Sequence, residues 1–202
     1  MSTYKVVDRL AFATELCRGK TVLDIGGQKM PNCDPNSPFA REYQKIQKAA
    51  SEYRIADYQQ VPGVDYIVNL NRPEGVEALK TVLAEYRPQV ILCMETLEHV
   101  NYHFESMNAM AQAVESYGAT VFITIPNNGN WVFNALGWNG DHSVAFFRGI
   151  ADRFVRRSAL GNHTVELLGC MQKYVWYWWI AYIVAFKQPF SWGFVVKPKR
   201  PA

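Results

Sequence analysis

The sequence has few cysteines and little net charge, and both features exclude classes of protein. Its four cysteines, Cys17, Cys33, Cys93 and Cys170, are scattered. They form no Cys-x-x-Cys pair, which excludes the usual zinc sites and predicts a reduced, cytoplasmic setting. The net charge is only +3, without the dense basic face of nucleic-acid-binding proteins. A nucleic acid is therefore not expected as a partner.

Long hydrophobic segments and a signal segment are also missing. The longest apolar run, residues 175–186, is too short to cross a bilayer, and its β-forming residues predict a core strand. The N-terminus has no charged segment followed by an apolar one. We therefore expect no membrane partner. The 202 residues, 49% hydrophobic and 19% charged, predict one globular domain over 1–202.

The chain is organised around residues 21–27, Thr-Val-Leu-Asp-Ile-Gly-Gly. This β-branched and aliphatic run predicts a buried strand that ends at a tight turn. Glycine lacks a Cβ, so the backbone there can approach a ligand closely. Ligands of open α/β sheets bind at such strand ends. The alternative is a strand and turn with a purely structural role.

Strands and helices alternate along most of the chain. Helical spacing or composition predicts helices at 4–18, 39–52, 73–86, 95–117 and 143–157. Apolar runs predict strands at 21–25, 53–57, 64–70, 88–94 and 119–126, with a final strand pair at 164–174 and 178–188. Three prolines make 28–38 a loop. This α/β pattern implies a mostly parallel sheet with helices on both faces.

Polar residues stand at the ends of three predicted strands. An acid at the end of the second strand, Asp57, can accept hydrogen bonds from a ribose diol. Asn69 can bond an exocyclic amine or a ring nitrogen, and Asp24 precedes the glycine turn. The alternative is that all three are turn-forming residues.

An acid and an imidazole follow the fourth predicted strand, in the stretch Met94-Glu95-Thr96-Leu97-Glu98-His99-Val100. Histidine titrates near neutral pH, so His99 is a candidate general base beside Glu98. The alternative is a helix N-terminus, where glutamate is favoured by the helix dipole.

Three motifs together resemble class I S-adenosylmethionine-dependent methyltransferases. Residues 22–27 resemble their first motif, 95–100 resemble the Leu-Glu-His-Val stretch that many carry after the fourth strand, and 122–127 are similar to their fifth strand. The resemblance covers about residues 20–190, in the right order and spacing. It implies a Rossmann-like sandwich with a mostly parallel seven-stranded sheet, the last strand antiparallel and helices on both faces.

The resemblance also implies S-adenosylmethionine as cofactor and a role for each matched residue. Gly26 and Gly27 would lie under its methionine part, Asp57 would bind the ribose, Asn69 and Leu70 would line the adenine, and Met94 and Glu95 would flank the sulfonium. The implied cofactor-binding set is Asp24, Gly26, Gly27, Gln28, Asp57, Tyr58, Asn69, Leu70, Met94 and Glu95. Two residues depart from the family pattern. Gln28 stands where the first motif usually has a second glycine, and Asn69 stands where the family often has an aspartate.

Methyl transfer depends mainly on alignment, because the sulfonium is already activated. A base is needed if the acceptor is a hydroxyl, and the catalytic candidates are His99, His142 and Glu98. The loop 127–142 combines aromatic and amide side chains and is predicted to line the acceptor site, although packing of a long loop explains it equally well. We expect a small-molecule acceptor with a hydroxyl or amine, such as a sugar.

Two other clusters have simpler interpretations. Glu95, His99 and His103 have a metal-compatible helical spacing, but without a further ligand no metal is expected. Arg153, Arg156 and Arg157 form a basic helical cluster, which is more typical of a solvated face than of an RNA-binding one.

Two alternatives to an active methyltransferase stay open. One is a catalytically degenerate, methyltransferase-like binding module. The other is a nicotinamide-dependent oxidoreductase, which the absence of Gly-x-Gly-x-x-Gly and of Tyr-x-x-x-Lys disfavours. Within the single domain we expect an N-terminal helix at 1–19, a core at 20–190 and a C-terminal tail at 191–202. We expect a monomer or a homodimer.

Overall fold

The computed structural model describes residues 4–27, 37–129, 148–171 and 189–199. Eight strands in these ranges form one sheet. They are β1 (Lys5–Asp8), β2 (Thr21–Ile25), β3 (Glu52–Asp57), β4 (Tyr66–Ile67), β5 (Val90–Met94), β6 (Thr120–Pro126), β7 (Thr164–Met171) and β8 (Ser191–Lys197). Their order is β1-β7-β8-β6-β5-β2-β3-β4. Strand β8 is antiparallel to both of its neighbours, and all other pairs are parallel.

Five helices within the described ranges cover the two faces of the sheet. They are α1 (Arg9–Cys17), α2 (Pro38–Ala49), α3 (Pro73–Tyr86), α4 (His103–Tyr117) and α5 (Arg148–Arg157), with short 3₁₀ turns at Leu97–His99 and Ala159–Asn162. One core contains residues of α1 and α2, such as Leu10 and Ile46. The other contains Leu79 of α3, Met110 of α4 and Phe154 of α5. The predicted α/β sandwich with helices on both faces is confirmed.

Local sequence explains where several helices begin and end. Asp8 caps α1 by accepting a hydrogen bond from the backbone N–H of Ala11 at 2.8 Å. Ser37 caps α2 in the same way through Ala40. These side chains satisfy N–H groups that have no partner inside the helix. Helix α4 ends at Tyr117 and is capped by Gly118, whose φ of 77° favours glycine.

The sheet has an additional strand at its edge. Residues 4–18 were predicted as one helix, but Lys5–Asp8 is strand β1, and the helix begins at Arg9. Strand β1 pairs in parallel with Leu168–Met171 of β7. The long-range pairing therefore overrides the helical spacing of this segment, and the described sheet has eight strands instead of seven.

The antiparallel strand of the sheet lies later in the sequence than predicted. The final pair was expected at 164–174 and 178–188, but β7 pairs with Ser191–Lys197, in the range predicted as a tail. All residues of β8 except Lys197 are buried, because the strand lies between β6 and β7. Residues 178–188 and the apolar run 175–186 lie outside the described ranges.

Two further predicted elements are shorter than expected. The strand expected at 64–70 is reduced to Tyr66–Ile67, so Asn69 and Leu70 lie in the turn that follows. The helix expected at 95–117 begins at His103. Glu95 has a left-handed backbone with φ of 53°, which an α-helix does not allow, and the stretch after it holds the 3₁₀ turn.

Candidate functional site

The candidate site lies where β5, β2 and β3, which are neighbours in the sheet, reach their carboxyl ends. The turn after β2 begins at Gly26, with φ of 75°, and its N–H donates to the carbonyl of Ala56 at 2.8 Å. A Cβ on Gly26 would lie 2.3 Å from Oγ1 of Thr96. A Cβ on Gly27 would lie 2.2 Å from Oδ2 of Asp24. Both positions therefore require glycine, and the turn carries no side chain toward a ligand.

Asp24 lies inside the protein beneath this turn. It is buried, and the hydroxyl groups of Tyr43 (α2) and Tyr53 (β3) donate to its Oδ2. Burial raises its pKa to about 7; the hydrogen bond from Tyr53 opposes this rise and the charge of Asp57 adds to it. Asp24 thus fixes α2 and the glycine turn and has little surface to offer a ligand.

The raised pKa of Asp24 predicts that stability depends on pH. The folded protein holds the Asp24 proton up to about pH 7, whereas the unfolded chain loses it near pH 4. Stability is therefore full below about pH 4 and falls as the pH rises to about 7, by up to about 1.4 kcal/mol per unit. Burial also raises the pKa of Glu98, so this residue contributes a dependence of stability on pH with the same sign. Chemical denaturation from pH 5 to 8 should give a shallower decline for Asp24→Asn than for wild type; an identical slope would contradict the prediction.

Asp57 ends the neighbouring strand and is the acid best placed for a ribose. Its Oδ1 accepts a hydrogen bond from the backbone N–H of Gln59 at 2.9 Å. Burial raises its pKa, while backbone hydrogen bonds from Gln59 and Tyr58 lower it. Tyr58 beside it is 56% exposed. This arrangement holds a carboxylate at the same sheet edge as the glycine turn.

Asn69 and Leu70 follow β4 at the same edge. The Oδ1 of Asn69 accepts a hydrogen bond from the backbone N–H of Asn71 at 3.0 Å, which closes the turn. Leu70 is buried, and its carbonyl accepts a hydrogen bond from the N–H of Tyr102 at 3.1 Å. The amide NH₂ of Asn69 is therefore the group that can reach a ligand, because its oxygen already bonds the turn.

Glu95 follows Met94 at the end of β5 and is held from three sides. Its backbone N–H donates to the carbonyl of Thr124 at 3.0 Å. Its Oε1 accepts a hydrogen bond from Oγ1 of Thr124 at 2.8 Å and pairs with Nη1 of Arg9 at 2.9 Å. Sequence reasoning did not select Arg9 or Thr124. The one feature of the sequence that could have indicated Arg9 is its position as a basic residue among the apolar residues of the first predicted helix.

Glu98 and His99 are adjacent in sequence but differ in exposure. Glu98 is buried, and its pKa is raised well above the ordinary value by burial and by the charge of Glu95, against an opposing effect of Arg9. The imidazole of His99 is 45% exposed, and its Nε2 lies 3.8 Å from Oε1 of Glu98. His99 is thus the better placed of the two to meet a substrate.

Other predicted site residues are not brought into this group. Gln28, His142 and residues 130–142 of the predicted acceptor loop lie outside the described ranges. The ring of His103 packs on Phe104 and Phe154. Across the described part of the chain, no three His, Cys, Asp or Glu side chains form a group that could hold a metal ion. None of the described helices is long and apolar enough to cross a membrane.

Comparison with known proteins gives a fold but no sequence family. No family model matches the chain, and no curated protein matches it. A solved S-adenosylmethionine-dependent methyltransferase from Archaeoglobus fulgidus is similar, with 14% identity, a TM-score of 0.55, and coverage of 94% of this chain and 90% of that one. One from Mesorhizobium loti has 10% identity, a TM-score of 0.52 and coverage of 93% and 95%.

A third similar structure is that of the small RNA methyltransferase HEN1, with 14% identity and a TM-score of 0.52; the match covers 96% of this chain but 25% of that one. The chain therefore has the Rossmann-like fold of class I methyltransferases.

Proposed function

We propose that this protein is an S-adenosylmethionine-dependent methyltransferase that acts on a hydroxyl or amine of a small molecule. The observation that carries the proposal is the shared edge of three neighbouring strands. It brings together the glycine turn after β2, Asp57 at the end of β3 and Glu95 after β5. On a fold of this class, that edge is where a ligand binds.

The residues at this edge fit the proposed cofactor. The turn at Gly26 and Gly27 carries no side chain that would obstruct the methionine part. The carboxylate of Asp57 suits the ribose hydroxyls, and the amide NH₂ of Asn69, with Leu70, suits the adenine. Glu95 would supply a negative charge for the sulfonium of a bound cofactor. When bound, S-adenosylmethionine supplies a methyl group that is already activated for transfer.

The chain then has to bind and align the acceptor. Alignment accounts for much of the rate when the methyl group is already activated. His99, exposed at the end of the 3₁₀ turn, remains a candidate base for a hydroxyl acceptor, with His142 as the second and Glu98 as a neighbour of His99. The acceptor is expected to be a small molecule such as a sugar.

A binding module without turnover is the second candidate. It is favoured by two observations: Asn69 stands where the family often has an acid, and its Oδ1 is already bonded to its own turn. Such a module would keep the fold and a ligand cleft without transferring a methyl group.

Titration calorimetry with S-adenosylmethionine and S-adenosylhomocysteine tests the proposal. Micromolar binding of both ligands to folded protein supports it and justifies a screen of acceptors. Absence of binding to protein with a cooperative unfolding transition would favour the binding module.

A further inference from the structure

Two energetically unfavourable features coincide at Glu95. The first is its left-handed backbone, with φ of 53°. Residues other than glycine rarely adopt this conformation. The second is the burial of Arg9, whose side chain is 7% exposed and whose Nε has no hydrogen-bond partner in the described structure. Strain and unsatisfied buried donors reduce stability, and they concentrate where a site must be held in one geometry.

The contacts around Glu95 fix one carboxylate oxygen and leave the other available. Both of its side-chain bonds, from Thr124 and from Arg9, fall on Oε1. Within the described residues Oε2 has no hydrogen-bond donor, and the side chain is 28% exposed. An acceptor oxygen is thus held still, at the carboxyl end of β5 and next to the glycine turn.

The neighbouring acid does not compete for Arg9. Glu98 is buried beside the pair, and burial together with the charge of Glu95 raises its pKa, which favours its neutral form. Arg9 therefore serves mainly as the counter-ion of Glu95. A buried arginine with an unsatisfied Nε is not explained by stability alone, because the free energy lost on burying a charge exceeds the free energy gained from one ion pair.

We propose that Oε2 of Glu95 accepts a hydrogen bond from the N–H or O–H of the acceptor's attacking atom, and that Arg9 is a positioning residue that orients Glu95. This inference rests on the proposed function. It restricts the acceptor to a nucleophile that carries a proton, a class that includes amines and hydroxyls and excludes thioethers and tertiary amines.

The attacking nitrogen or oxygen forms a bond to the methyl carbon while the bond from that carbon to sulfur breaks. The electron pair of the broken bond stays on sulfur, which becomes a neutral thioether. The proton of the attacking atom passes to Oε2 of Glu95 and then to solvent.

Binding of sinefungin tests the inference without a known acceptor. This analogue carries an amino group where S-adenosylmethionine carries its methyl group, so it places N–H donors at the point of transfer. We expect wild type to bind sinefungin about tenfold more tightly than S-adenosylhomocysteine, through a charge-assisted hydrogen bond. In Glu95→Gln this preference should disappear, and the affinity for S-adenosylhomocysteine should change little.

Variants of Arg9 test its positioning role. Arg9→Met should lose most of the sinefungin preference, and Arg9→Lys should retain part of it. Arg18→Met, which breaks the exposed pair of Arg18 with Glu15, is the matched control and should keep the preference. A thermal unfolding curve for each variant establishes that it is folded.

Three results would overturn the inference and can be told apart. If Glu95→Gln keeps the sinefungin preference, Oε2 does not face the point of transfer. If Glu95→Gln weakens S-adenosylmethionine and sinefungin equally, Glu95 acts through charge and accepts no hydrogen bond there. If wild type binds none of the three ligands, the proposed function itself fails.

Discussion

Replacing Asp57 by alanine should lower the affinity for S-adenosylhomocysteine by about 100-fold or more. Hydrogen bonds to a charged group each contribute about 1.5–3 kcal/mol, and the carboxylate is expected to bind two ribose hydroxyls. The fold should persist, because the described hydrogen bonds to the Asp57 side chain come from the adjacent backbone of Tyr58 and Gln59 and from no other element. Calorimetric titration measures the affinity, and thermal unfolding checks the fold.

Asp65→Ala is the matched control for this prediction. The carboxylate of Asp65 accepts a hydrogen bond from the backbone N–H of Ile55 at 2.8 Å, so it supports the same strand, β3, away from the strand end. This variant should lose stability and keep its affinity. An Asp57→Ala protein that binds within about threefold of wild type would remove Asp57 from the site.

Gly75→Ala should destabilise the protein by about 3 kcal/mol or more. Gly75 lies in the first turn of α3, where a Cβ would sit 1.9 Å from the carbonyl oxygen of Asn69. The obstacle is backbone, so either α3 or the turn that carries Asn69 must move. Since Asn69 is expected to line the adenine, the affinity for S-adenosylhomocysteine should fall together with the stability.

Gly149→Ala is the matched control for Gly75→Ala, and it should stabilise the protein where Gly75→Ala destabilises it. A Cβ on Gly149 in α5 has its nearest neighbour, Nη2 of Arg153, at 4.0 Å. Alanine there should stabilise the helix by about 0.5–1 kcal/mol. Urea denaturation compares both variants with wild type. A Gly75→Ala protein as stable as wild type would show that α3 does not press on the Asn69 turn.

Local patterns predicted the central strands of the fold well. Strands β2, β5 and β6 lie inside the predicted segments, and β3 extends beyond its segment by one residue, Glu52, because each is a short apolar run bounded by turn residues. The edge strand β1 was missed, since its formation depends on pairing with β7, which local spacing does not encode. The antiparallel strand was assigned to residues 178–188, because the apolar run there is stronger than the shorter one in Ser191–Lys197.

The candidate site was only partly predictable, because local sequence patterns do not encode contacts between residues that are distant in sequence. Asp57 and the two glycines stand at strand ends that the sequence marks clearly. Glu95 was selected, but its left-handed backbone and its contacts were not foreseen. Arg9 lies more than eighty residues away from Glu95 in sequence, so only the folded chain shows the pair. The roles of the predicted cofactor-binding and catalytic residues stay predictions.

The pairing of β1 with β7 has a consequence for the order in which the protein is made. Lys5–Asp8 leaves the ribosome before its partner residues Leu168–Met171, which are synthesised about 160 residues later. At about 5–20 residues per second, this delay is roughly 8–30 s. During that time Arg9, which directly follows β1, has no completed sheet edge to anchor it. The ion pair with Glu95 therefore belongs to the last stage of assembly, and a nascent chain halted before β7 should hold Glu95 through Thr124 alone, without Arg9 fixed against it.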